Sequence, residues 1–474
     1  MGLLFGSAST RASSAGPSIG IIGAGPGGLS LARILTDRGF RDVTVLEKAE
    51  RVGGKSRTVQ HEGLGHEVGT CYYTEGYTYV RAWMRRYGIS AHRLHRHVIH
   101  RADGSATDFG HYVSAGSRPR MVEELARYTK HWMRFFTLQE LGHDRATFDA
   151  EVSIPFGQWL RERNLAAIER FALRSMTAMG YGHLDHVPAL YGLRWNSPSL
   201  LLSAAAMHID EPVPGWSHLW QAMAATLDVR LGWETAHVER GPRGVEVIAK
   251  DGDRLRFDHL VVATPPDECG AWLPLDNDER ALFGRLQWAQ YYTSLVVVDG
   301  WFKHEDTHSY EANLRGADGP QVGHILVARR TGDKTPVAEA RTDARKHVYV
   351  VYQYGSRQLA DTTLRDRLTQ DIARQGGRLV QVLGQFPWRH SPKLPAAAIA
   401  SGAVWALEDL QGKRNTWYTG ATLCHESVNN IVGYNVKLAD RLEHTLRGYA
   451  ERPMGRWWWQ ERRAAERLLT WQNK

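Results

Sequence analysis

Three glycines, Gly23, Gly25 and Gly28, stand in the spacing GxGxxG with Pro26 and Gly27 between them, and an acid, Glu47, follows nineteen residues after the last. Each has its own use in holding a dinucleotide. Gly23 permits a tight turn, Gly25 lets the backbone come close to a pyrophosphate, and Gly28 lets a helix pack closely on a strand. The N–H groups and the positive dipole end of a helix starting here would face phosphate oxygens. Glu47 would accept the hydroxyls of an adenosine ribose. In a chain with 46 glycines the bare spacing means little. The signal lies in what surrounds it. Ile19–Ile22 reads as a buried parallel strand. Leu29, Ala32, Ile34 and Leu35 then recur at helical spacing, and a second apolar run, Val43–Leu46, ends on Glu47.

The rest of the chain must hold such a turn in place. Its 474 residues suffice for two large domains or three ordinary ones, and 43% apolar with 23% charged residues is a globular composition. Apolar runs such as Leu295–Val298 and Leu200–Met207 are far shorter than the ~18 residues of a membrane span. Cys71, Cys269 and Cys424 lie far apart, so there is neither a disulfide framework nor a CxxC zinc pattern, and no metal site is expected. A reducing, cytoplasmic setting follows. The net charge of +8 is spread too thinly to mark a nucleic-acid surface. Residues 1–17 read as a loose tail, lacking the apolar stretch of a secretory signal. There is no second GxGxxG between a strand and a helix, so no built-in NAD(P)H site is expected.

The run from Glu47 and Lys48 through Gly53, Gly54 and Lys55 resembles the segment after the ribose acid in FAD enzymes of the amine-oxidase type. There the paired glycines pass the FAD diphosphate and a basic residue helps to neutralise it. The stretch containing Gly69 and Thr70 resembles that family's next element, with backbone near the flavin. Short strands around Val238 and the Ala263–Pro266 turn resemble the return of the chain to the cofactor. Gly420, Ala421 and the helix carrying Asn430 resemble its last FAD element, with Ala421 where an acid is common. The resemblance implies an α/β fold: a discontinuous Rossmann-type FAD-binding domain (18–75, 217–270 and 400–448) and a mixed-sheet substrate domain (76–216, with a helical cap, and 271–399). Amine oxidases of this family often place a lysine near flavin N5. The comparable stretch here, Trp288–Ser294, has none, which counts against plain amine oxidation.

Several blocks resemble the polyenoic fatty acid isomerases of the same superfamily: Ile154–Leu160, Thr177–Ala189, Gln290-Tyr291 and Leu410–Thr416. That resemblance implies hydride exchange between flavin and a lipophilic unsaturated substrate, returned at another carbon. It also implies catalytic positions at Tyr181, Gln290 and Tyr291, pocket walls at Met176, Met179 and Trp195, and a carboxylate anchor at Arg96. An oxidase or desaturase using O2, and an FAD-bound lipid-binding protein without catalysis, remain as alternatives. Finally, residues 449–474 carry Trp457, Trp458, Trp459 and Trp471 among arginines. Read as a helix, they place Trp457, Trp458, Ala464, Ala465, Leu468 and Trp471 on one face, which suits peripheral contact with a membrane or docking on the protein's own body or a second subunit.

Overall fold

The computed structural model describes residues 16–94, 97–142, 144–302, 307–317, 319–332, 346–356, 359–447 and 456–470, with the backbone alone at 456–460 and 470. Most of the tail at 1–17, the proposed anchor Arg96, and the segments 448–455 and 471–474 lie outside the described residues.

A five-stranded parallel sheet forms the first layer, in the order 228–230, 43–46, 19–22, 259–262, 416–418. Its three inner strands read as continuous apolar runs because both faces are covered. On one face, helices Pro26–Asp37 and Val428–Arg447 pack together. They are joined by a buried Asn435, whose Nδ2 donates to the Gly27 carbonyl at 2.7 Å and the Ser30 hydroxyl at 2.8 Å. On the other, Phe257 of the antiparallel meander 235–257 lies over Gly20, where a Cβ would meet its ring at 2.5 Å.

The second layer is a seven-stranded mixed sheet, ordered 378–393, 287–299, 346–354, 327–330, 307–310, 97–100, 106–108. Helices between Phe109 and Ala205 cover it as a cap. The cap's interior is continuous with the core under the sheets, and in it Trp132, Phe135, Phe136, Phe148, Phe156 and Trp159 are fully buried, with Trp132 and Phe136 stacked at 4.8 Å. These large side chains hold the cap together, and none of them lines the cavity between cap and sheet.

Helix Arg456–Thr470 lies against helices Arg118–Leu141 and Pro198–Ala205. Ala464, Ala465 and Leu468 are buried there, and the buried Glu461 carboxylate accepts from the Ser199 N–H and the Ser197 and Ser199 hydroxyls. The described part of its apolar face is therefore spent on the body of the protein. Among the described residues no helix is long and apolar enough to cross a membrane.

Candidate active site

Strand Ile19–Ile22 ends at Gly23, whose φ of +108° turns the chain sharply into the helix beginning at Pro26. A Cβ on Gly28 would lie 1.9 Å from the Gly23 carbonyl oxygen, so helix and turn touch backbone to backbone. A Cβ on Gly25 would meet only the Gly54 Cα, at 3.9 Å, leaving room above the turn. Gly27 faces Gly420 at 3.5 Å, measured the same way. The second glycine pair is tied to the first turn by the Gly53 N–H on the Ala24 carbonyl at 2.8 Å. Glu47 is fixed at the lip, its two carboxylate oxygens accepting from the Ala24 N–H at 2.7 Å and the Ala49 N–H at 3.0 Å. Lys48 is exposed beside it. Gly69 presses on the Lys55 carbonyl, and Thr70 bonds to the Ser56 hydroxyl at 2.9 Å. Ala263 donates to the Ile22 carbonyl at 2.9 Å, which sets its turn against Gly23. Gly420, at φ +101°, ends the next strand, and Ala421 follows it in the turn whose carbonyl accepts from the Cys424 N–H.

Three expected cofactor positions are engaged elsewhere. The Val238 N–H donates to the Trp272 carbonyl at 2.8 Å, because the meander closes on that loop. Closer to Glu47, whose carbonyl accepts from the Trp233 N–H, the Trp233 Nε1 and Thr235 Oγ1 atoms are buried with no partner. The Asn430 amide bonds to the Arg194 carbonyl at 3.0 Å and its backbone N–H to Ser427 Oγ at 3.1 Å, so it staples the cap to the start of the last helix. Lys55 reaches across to the Glu426 carboxylate and the Arg389 carbonyl, since a buried carboxylate must find a countercharge. These orphaned atoms by the ribose acid, the open space over Gly25 and the carboxylate on the strand end fit an FAD laid across the turn.

Beyond Gly69 and Thr70 lies a cavity of about 140 Å3 between sheet and cap. Tyr291 and Tyr181 both stack on His390, with centroids at 5.4 and 5.5 Å. Trp195 stacks on His425 at 5.5 Å and meets Tyr181 edge-on at 4.9 Å. Met179 also lines the space. Gln290 does not: successive strand residues point to opposite faces, so placing Tyr291 inward turns Gln290 away. Met176 is fully buried in the cap core behind the wall, because the turn Leu173–Thr177 directs it inward. In that same turn Arg174, absent from the sequence reading, lines the cavity. Its signal was a single charge inside the apolar run Phe171–Ala178. His390, His425 and Glu426 were missed as a group because they come from two distant segments.

Burial governs the charge states. It lowers His390 to about 4 and His425 to about 3, and holds His97 well below its usual value. It raises the Cys71 thiol and the Tyr181 and Tyr291 phenols. Burial also pushes the Glu426 carboxyl up, but the Lys55 ammonium, His390 and the Ser391 N–H together outweigh it and leave the group at about 2. All three low values weaken the fold in acid. An unfolded histidine takes its proton near pH 6.5, whereas His390 and His425 resist it until about 4 and 3, so stability falls as pH drops through that window. Glu426 adds a loss from 4.5 down to about 2. His425→Phe keeps the ring against Trp195 and removes two unpartnered nitrogens. Between pH 6.5 and 4 it is expected to flatten the dependence of stability on pH by about 1.4 kcal/mol per unit, read from urea midpoints. An unchanged slope refutes the burial of a neutral imidazole.

A parallel sheet with a glycine cradle, opening onto an aromatic-lined cavity under a helical cap, is the architecture of a flavin-dependent oxidoreductase. The chain belongs to the flavin containing amine oxidoreductase family, which it matches over residues 26–392, and FAD is its cofactor. It is 24% identical over 449 residues to the FAD-dependent oxidoreductase dpasF of Apiospora sacchari, covering 87% of this chain and 90% of that one. It is 22% identical over 473 residues to the polyenoic fatty acid isomerase of Ptilota filicina, covering 87% and 92%. Among solved structures, the CLA-producing fatty acid isomerase from P. acnes superposes with a TM-score of 0.76 at 22% identity, covering 91% of this chain and 99% of that one.

Proposed function

We propose that this enzyme moves a double bond in a lipophilic polyunsaturated fatty acid, by removing a hydride from an activated C–H and returning it at another carbon. Bound FAD supplies the hydride acceptor and donor. The observation that carries this reading is the absence, among the described residues lining the cavity, of a group poised to move a proton near neutral pH. Cys71, Tyr181 and Tyr291 are raised, His97 and His390 are lowered, and Lys55 and Glu426 are spent on each other. Hydride movement along a carbon chain requires no such group. An ammonium substrate requires a base to take its proton and a carboxylate to face it. Glu426, engaged by Lys55 and the Ser391 N–H, provides neither. Tyr181, Trp195 and Tyr291 supply apolar walls that orient a chain and keep water from a developing cation. The likeness to two fatty acid isomerases supports the same reading.

Anaerobic incubation with excess linoleate is the test. Many equivalents of an isomer of unchanged mass are expected with the flavin left oxidised. One equivalent of product with bleached flavin, and further turnover only when O2 is admitted, would instead establish the oxidase or desaturase reading.

A further inference from the structure

Among the described residues, the buried arginines are paired with a carboxylate, with one exception. Arg33 is paired with Asp37, Arg240 with Glu279 and Arg329 with Glu211. Arg174 is only 6% exposed and lines the cavity, yet its Nε and Nη2 are buried with no hydrogen-bond partner and no carboxylate is paired with it among the described residues. Among the described residues its guanidinium carbon lies over the Phe109 ring at 5.8 Å. Nε and Nη2 form the edge of a guanidinium that a planar carboxylate bridges with two parallel hydrogen bonds. His97, also lining the cavity, has its Nε2 buried and unpartnered. An uncompensated buried charge is expensive, and an apolar surround strengthens its attraction for an anion. The adjacent residue, Ser175, accepts the Trp195 indole N–H at 2.9 Å, so the cationic edge and the aromatic cage are set by one turn of the cap.

We propose that Arg174, with His97 beside it, binds the carboxylate of the substrate and so selects acids over neutral lipids. This rests on the reading of the cavity as a site for a fatty acid. The test is equilibrium binding of linoleate and of linoleyl alcohol to the holoprotein, followed by the perturbed flavin spectrum.

Wild type is expected to prefer the acid. R174M should weaken linoleate at least tenfold and leave the alcohol within twofold. R174K, which keeps the charge but loses the bridging edge, should fall between. Without ligand, R174M should melt about 2 °C higher, because an unpaired buried charge has been removed; a purely structural arginine would melt lower. The proposal is overturned by a wild type with no preference for the acid, by unchanged linoleate affinity in R174M, or by equal weakening of both ligands. Because binding is read without turnover, Arg174-dependent acid binding with no isomerisation would sink the hydride reading and leave this site standing. Turnover without acid preference would do the reverse.

Discussion

Gly28→Ala is expected to give little folded protein, and that little colourless. The added methyl would sit 1.9 Å from the Gly23 carbonyl oxygen and 3.2 Å from an Ile21 methyl, so it meets backbone that cannot swing aside. The helix would have to lift off the strand it starts from. Overpacking of this kind costs about 3 kcal/mol or more, large against the marginal stability of a folded chain. Gly25→Ala supplies the contrast. There the methyl meets only the Gly54 Cα at 3.9 Å, and the backbone is at φ −78°, which alanine adopts freely. That variant should fold with a urea midpoint close to the wild-type apoprotein, yet retain little flavin absorbance, because the space it fills is where the diphosphate approaches the chain. Full flavin content in Gly25→Ala would show that the cofactor lies elsewhere. A Gly28→Ala protein as stable as wild type would refute the close approach at the turn.

Removing Glu211 should produce the second large effect. Its carboxylate pairs with Arg329 in the interior, where the two side chains are 4% and 2% exposed. Arg329 also donates to the Glu67 carbonyl at 3.2 Å and lies over the Tyr72 ring at 5.5 Å, so it joins the strand before the cavity to the mixed sheet. Glu211→Gln leaves a guanidinium buried without countercharge. The expected loss is about 3–5 kcal/mol, read from the urea midpoint. The double replacement Glu211→Leu with Arg329→Met removes both charges and should recover most of it. If the single variant loses less than about 1 kcal/mol, the pair is more hydrated than its burial indicates.

What could be read from sequence was local. The strand, glycine turn, helix and acid at 19–47 are contiguous, and each residue's task follows from its neighbours. The aromatic residues of the cavity were legible through the family-like block at Thr177–Ala189, but their facing was not. Tyr291 and Gln290 are neighbours in the sequence, but a strand must send them to opposite sides, and Met176 and Met179 stand three apart, but the tight turn between them separates wall from core. Asn430 and Lys55 illustrate a second limit. Both lie on elements expected at the cofactor, and both are drawn off by partners far away in the chain, Arg194 and Glu426. Nothing at either position announces the competitor. Arg174 could be noticed as a charge among apolar residues, but only the fold reveals that no acid among the described residues pairs with it.

The order of strands in the parallel sheet bears on how the enzyme is made. Its neighbours come from residues 19–46, 228–230, 259–262 and 416–418, the last pairing directly with the third. The glycine turn comes early in the chain, but helix 428–447, which packs on the helix that follows the turn, comes hundreds of residues later. Long-range closures of this kind are slow and leave edges uncovered meanwhile. The parallel sheet, and with it the FAD site, is therefore complete only once residues 416–447 have joined the strands supplied by 19–46.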